Sequence, residues 1–174
     1  DLERGDADLI GMGRQMIADP SWTNKVHYGK EDTIRKCISC NIGCSGHRIG
    51  LNRPIRCSVN PSVNEGEEYR SWKVKKPCNV VVIGGGTAGL EAACTAAEVG
   101  CTTFLIEKED HLGGLSVEIS KIPDKKRLRD FPDYLIHRAE KLRNLITFTS
   151  TEATPSFVKM LKPDFIINAT GSRS

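Results

Sequence analysis

Four cysteines stand close enough in the sequence to act together. Cys37, Cys40 and Cys44 fall inside CISCNIGC, and Cys57 follows thirteen positions after the last of them. In a reducing compartment thiols in such a pattern hold metal rather than each other. Structural zinc sites usually bring their ligands as two C-x2-C pairs that pinch one ion. Here three thiols come from one compact loop and one from a distance. That arrangement favours a 4Fe-4S cube, in which each cysteine ligates its own iron. Zinc and free thiols are the alternatives that spacing alone leaves open. His47, Arg48, Arg53 and Arg56 lie between the third and fourth cysteines, where basic groups offset an anionic thiolate cluster, although a solvated loop would carry the same residues. Cys78, Cys94 and Cys101 lack ligand spacing.

A second constellation begins at VVVIGGGTAG. Gly84, Gly86 and Gly89 read as G-x-G-x-x-G, with Thr87 and Ala88 opening the segment that follows. The pattern alone is weak. Here it leaves an apolar run, opens a helical pattern, and meets an acid at the end of the next apolar run. Gly84 suits a tight turn, Gly86 lets a pyrophosphate approach the backbone, and Gly89 lets helix and strand pack closely. Freed N–H groups and the helix dipole then attract the anion. Glu107, eighteen residues after Gly89 and followed by Lys108, is placed to accept hydrogen bonds from the adenosine ribose. An acid there repels a 2′-phosphate, so this is not an NADP site.

The elements that must position these groups form three sections. Residues 1–30 give a strand signal, ADLIGMG, then a helix-like RQMIADP ended by Pro20. Residues 31–77 are loop-rich, carry the four clustered cysteines and close on a basic linker, SWKVKKP. Residues 78–174 alternate strand and helix. NVVVI suits a strand buried on both faces of a parallel sheet. Leu90, Ala93, Cys94 and Ala97 make a helical stripe, with Cys94 as a small buried hydrophobe and Gly100 at the helix end. TTFLI is the second strand of a βαβ unit with a right-handed crossover. Leu128, Leu135, Ala139 and Leu142 predict helix interrupted near Pro132. LITFT predicts a strand, Thr154 and Pro155 the start of a short helix, and DFIINATG a last parallel strand. The fold class is α/β.

Composition narrows the partners. The chain has 174 residues, 39% hydrophobic and 27% charged, with a net charge of +3 and interspersed signs. That is too mild to argue for nucleic acid, and no stretch interleaves basic and aromatic residues. KIPDKKRLR reads as a solvated face. No apolar run approaches the roughly 20 residues a bilayer requires. DLERGDADLI lacks the basic start and apolar core of a signal peptide, so the expectation is cytoplasmic. Starting without Met and stopping at INATGSRS just after a strand, the chain reads as a piece of a longer protein. Its apolar ADLIGMG segment, with Leu9, Ile10 and Met12, is expected to be disordered, repacked, or paired with a second copy as a homo-oligomer.

HLGG, with Gly113 and Gly114, and ATG, with Thr170 and Gly171, resemble segments of the flavoproteins that bind two dinucleotides, whose first Rossmann unit holds FAD. GDADLIGMGRQMIADP resembles the last strand and turn of the TIM barrel in old yellow enzyme-like flavoproteins. That resemblance implies that Gly13 and Arg14 hold an FMN phosphate. All three segments in this order resemble the iron–sulfur flavoenzymes related to 2,4-dienoyl-CoA reductase, 2-enoate reductase, and trimethylamine or histamine dehydrogenase. The resemblance implies the end of an FMN barrel, a cluster segment, and the first half of a Rossmann-like FAD domain. It implies electron flow from NAD(P)H to FAD, through the cluster, to FMN and an enoate or enoyl-CoA. The amine dehydrogenases run outward from FMN and carry ADP in place of FAD. The family's catalytic acids lie on barrel strands outside this chain, so no catalytic residue is assigned. The stretch after Cys57, SVNPSVNEGEE, is slightly longer than the family pattern. A rival of another class is a non-catalytic, zinc-stabilised nucleotide-binding module.

Overall fold

The computed structural model describes residues 2–65 and 72–172. The end of SVNPSVNEGEE and the first residue of the linker lie outside the described residues. The chain divides after Glu65 into two compact units.

The first unit is held by polar side chains more than by a core. Helices α1 (Arg14–Ala18) and α2 (Trp22–His27) flank Asp19. A broad helical coil of π type runs over Ile42–Gly50. Residues 9–12 are not a strand, contrary to the reading of ADLIGMG, and Leu9 is 88% exposed. A strand exists by pairing, and no strand among the described residues of this unit offers it a ladder.

Asp19 organises the unit. Its carboxylate accepts from Lys25 Nζ at 2.6 Å, from the Arg35 N–H at 2.9 Å and from the Ser21 N–H at 3.1 Å. Burial pushes this carboxyl up, but the Lys25 and backbone donors outweigh it and hold it below its ordinary value of 3.8. A depressed carboxyl stabilises the fold fully above its unfolded value and loses that contribution as pH falls through the folded one. The first unit should therefore lose stability in acid below about pH 3.8, with Asp19→Asn abolishing that part of the pH dependence. Urea midpoints against pH, read from Trp22 fluorescence in a Trp72→Phe background, check this.

The second unit is a parallel four-stranded sheet with helices on both faces. Its elements run β1 (Asn79–Ile83), α3 (Thr87–Val99), β2 (Thr102–Ile106), α4 (Leu115–Ser120), a 3-10 helix (Pro123–Arg129), α5 (Asp130–Glu140), β3 (Leu145–Phe148), α6 (Pro155–Met160) and β4 (Phe165–Asn168). Strand order is β3-β2-β1-β4, all parallel. The period-2 alternation of β1 explains the layering. Val80 and Val82 join Leu90, Ala93 and Cys94 of α3 and Leu135 and Ala139 of α5. Val81 faces the other way, with Ile106 and Val158 of α6. Burial pushes the Cys94 thiol up to about 11 and leaves it inert. Arg138 of α5 grips Glu98 of α3 with two N–H groups at 2.6 and 2.7 Å and reaches Glu91 at 3.0 Å.

Two helix ends follow their sequence signals. Gly100 closes α3 in the left-handed conformation, and the Thr154 hydroxyl accepts from the Phe157 N–H ahead of Pro155. Pro132 does not interrupt its helix. It sits in the first turn of α5, where an N–H has no partner within the helix, so proline costs nothing there.

Candidate functional site

The first unit brings the four cysteines together. Cys37, Cys40, Cys44 and Cys57 all line one pocket with about 320 Å³ of empty space, part of it open to solvent, together with Arg14, Asn41, Gly43, Arg56 and Ser58. Among the described residues no group of three His, Cys, Asp or Glu side chains is drawn together tightly enough to hold a metal ion as it stands. The chemistry of the donor set, four thiols on one pocket, fits a cluster.

Cys37, Cys40 and Cys57 are positioned by neighbours that their spacing did not reveal. Gln15 of α1 donates to the Arg35 carbonyl and accepts from the Cys37 N–H, both at 3.0 Å, and so fixes the approach to the first cysteine. Asn60 is buried; it donates to the Ile17 carbonyl and accepts from Arg35, both at 2.9 Å, which ties the segment after Cys57 to the same helix. Gly43 packs directly on the Arg56–Cys57 backbone, with the Arg56 N–H donating to its carbonyl at 2.7 Å. The Cys40 sulfur lies 3.3 Å from the Ser58 hydroxyl. Of the four basic residues between Cys44 and Cys57, Arg56 lines the pocket, while Arg48 is exposed and donates to Asn52. Arg14, expected on a flavin phosphate, also lines the pocket and donates to Asn41; Gly13 precedes it at the helix start with open space around it.

The second unit gathers its three glycine-bearing segments at the C-terminal ends of β1, β2 and β4. The Gly113 N–H donates to Gly85 at 2.8 Å, and Gly86 and Gly113 form an isolated bridge. A side chain on Gly114 would touch the Gly86 Cα at 3.0 Å. Gly84 abuts Ala169 and Thr170, and Gly89 abuts Gly84, while Gly86 faces open space. Thr170 is held by the Asn168 side chain, which accepts from its N–H at 3.2 Å and its hydroxyl at 2.9 Å; the N-x-T pattern of an Asx turn is the signal that would have found Asn168. Helix α3 begins at Thr87 and Ala88, aimed from this cradle, and β1 stands where the connections diverge to β2 and β4, the point at which open parallel sheets bind ligands.

Glu107 is buried beneath the loop. Its carboxylate accepts from the Gly85 N–H at 2.5 Å and the Glu109 N–H at 2.9 Å. Each oxygen keeps lone-pair capacity for a ribose hydroxyl. Lys108 is exposed and pairs with Glu109 at 3.3 Å. Glu107→Gln turns one acceptor into a donor facing an N–H and should destabilise the second unit by about 1–3 kcal/mol, measured by urea unfolding.

The second unit is a doubly wound α/β unit with a glycine-rich cradle at its switch point, and the first unit carries a cysteine-lined pocket. A family model described as FAD dependent oxidoreductase matches residues 79–152. The chain is 43% identical to an NADH oxidase of Thermoanaerobacter brockii over 98% of its own length and 26% of the relative's. Among solved structures, it is similar to a 2-naphthoyl-CoA reductase bound to 2-naphthoyl-CoA, with TM-score 0.92 and 31% identity over 99% of this chain and 27% of that one. Histamine dehydrogenase from Rhizobium sp. 4-9 gives TM-score 0.90 and 29% identity over 99% and 25%. The chain thus spans about a quarter of the length of these relatives. It belongs to the family of flavin and iron–sulfur oxidoreductases. No helix among the described residues is long and apolar enough to cross a membrane.

Proposed function

We propose that this chain is the electron-relay section of an NAD(P)H-dependent flavoenzyme that reduces an enoate or enoyl-CoA. The observation that carries the reading is the single pocket lined by Cys37, Cys40, Cys44 and Cys57. On this reading residues 1–30 end an FMN barrel, residues 31–77 carry the cluster, and residues 78–174 begin the FAD domain. A bound 4Fe-4S cluster supplies one-electron steps between carriers that take up electrons in pairs. The chain's residues do the holding. Four thiolates would bind the irons, and Arg56 at the pocket would offset their negative charge. Gly84, Gly86 and Gly89 with the start of α3 receive the pyrophosphate of FAD, and Glu107 orients its ribose. Gly13 and Arg14 take the FMN phosphate. Similarity to an NADH oxidase and to a 2-naphthoyl-CoA reductase supports this direction of flow.

A second reading, an amine dehydrogenase with ADP in the cradle, is favoured by the likeness to histamine dehydrogenase. Heat-released nucleotide distinguishes the two, FAD for the first and ADP for the second. The cluster is tested on anaerobically purified protein by iron and acid-labile sulfide, expected at about four of each per chain. One zinc and no iron would overturn the relay and leave a zinc-stabilised nucleotide-binding module.

A further inference from the structure

Two cysteines outside the ligand set meet at one end of the sheet. β1 and β2 pair in register from Asn79 opposite Thr102, so Cys78 and Cys101 are the next pair outward, one residue before each strand. Adjacent strands run about 4.8 Å apart, within the Cα separation of about 4.4–6.8 Å that a disulfide spans. Their sulfurs are 2.6 Å apart, closer than unbonded thiols approach and just beyond bonding distance.

The approach is built into the backbone. The Cys78 carbonyl accepts from the Thr102 N–H at 2.9 Å. The Cys101 N–H donates to Ala96 at 3.0 Å in the helix cap, and its carbonyl accepts from Asn144 Nδ2 at 2.8 Å. Neither residue can withdraw without breaking a ladder or a cap. Exposure separates their roles, since Cys101 is 4% exposed and Cys78 is half-buried.

We propose that Cys78 and Cys101 form a reversible thiol–disulfide pair, a modification site for hydroperoxides that is separate from the cluster ligands. The Cys78 thiol gives up its proton and its sulfur attacks the terminal hydroperoxide oxygen; the O–O bond breaks, Cys78 becomes a sulfenic acid, and the departing oxygen takes up the released proton and leaves as water or an alcohol. The Cys101 sulfur then attacks the Cys78 sulfur. The S–S bond forms, the S–O bond breaks, and hydroxide leaves with the Cys101 proton as water. Two thiols lose two electrons and the hydroperoxide gains them. Burial pushes the Cys101 thiol up to about 11, so first attack falls to the half-exposed Cys78, and Cys101 resolves the sulfenic acid because it is held against it. In reducing compartments disulfides of this kind are transient and redox-sensing. The bond would close a loop of β1, the glycine turn and α3, the first of the three segments that form the cradle.

The test treats the full chain with hydrogen peroxide, blocks remaining thiols with N-ethylmaleimide, and digests with a glutamyl endopeptidase. Cleavage after Glu91 and Glu98 puts Cys78, Cys94 and Cys101 on three separate peptides. The expected product is a linked Cys78–Cys101 peptide that dithiothreitol dissolves, with Cys94 outside the link. In Cys101→Ser, Cys78 should instead stop at a sulfenic acid that dimedone traps. Maleimide on both Cys78 and Cys101 after peroxide has oxidised other thiols would overturn the proposal, as would linkage of Cys78 to any other cysteine.

Discussion

Replacing Gly43 with alanine is expected to abolish the proposed iron loading of the cysteine pocket as completely as Cys57→Ala does. A side chain at Gly43 would meet the Arg56 carbonyl oxygen at 2.5 Å, its carbon at 2.7 Å and the Cys57 nitrogen at 3.1 Å. All three are backbone atoms and cannot swing aside. The Arg56 N–H to Gly43 hydrogen bond draws the two segments together at the same point. Relief therefore requires residues 56–57 to move away from the loop that carries Cys44, and Cys57 moves with them. Overpacking of this sort costs about 1–3 kcal/mol, which lowers stability modestly. The loss of iron should be far larger, because four thiolates must arrive together to hold one cube. Gly50→Ala is the control: that glycine sits in the same coil with nothing near it. Iron and sulfide per chain after anaerobic reconstitution give the readout. Full iron in Gly43→Ala would show that the crossing is not what positions the fourth ligand.

Gly43 also marks where sequence reading stops. The cysteines announce themselves by spacing, but the contact that joins Cys44 to Cys57 is between backbones, and no pattern in CISCNIGC signals it. Gln15 and Asn60 are equally silent, because a polar residue in a loop-rich segment reads as solvated until the chain folds around it. The second unit was far more legible. Its core is built from local periodicity: the alternation of β1 and the stripe on α3 appear in sequence order, and both ends of α3 carry their own glycine. The misreadings came from cues with more than one meaning. Pro132 breaks a helix interior but is at home in a first turn, and its ring packs close to Gly113. ADLIGMG has strand composition, yet composition does not supply a partner strand.

The glycines of the cradle should separate folding from binding. Gly89→Ala places a methyl group against the Gly84 carbonyl, within 3.3 Å of the Ala169 side chain as well, in the seam between α3 and β1. The obstruction is again backbone, at the centre of the unit, and Gly84 itself is wedged against Ala169. The second unit should lose about 3 kcal/mol or more of stability, read as a lowered urea midpoint, and nucleotide binding should fall with it. Gly86→Ala should behave in the opposite way. Gly86 has φ of −70° and nothing within reach of an added carbon, so alanine fits the unliganded backbone. Its methyl group would stand in the space open to a pyrophosphate at the start of α3. Unfolding should be unchanged within about 0.5 kcal/mol, while affinity for ADP measured by titration calorimetry drops about tenfold or more, a loss of about 1.4 kcal/mol. If Gly86→Ala bound ADP as tightly as the unsubstituted chain, the nucleotide would have to lie elsewhere, and the open face at Gly86 would be only a turn in the backbone.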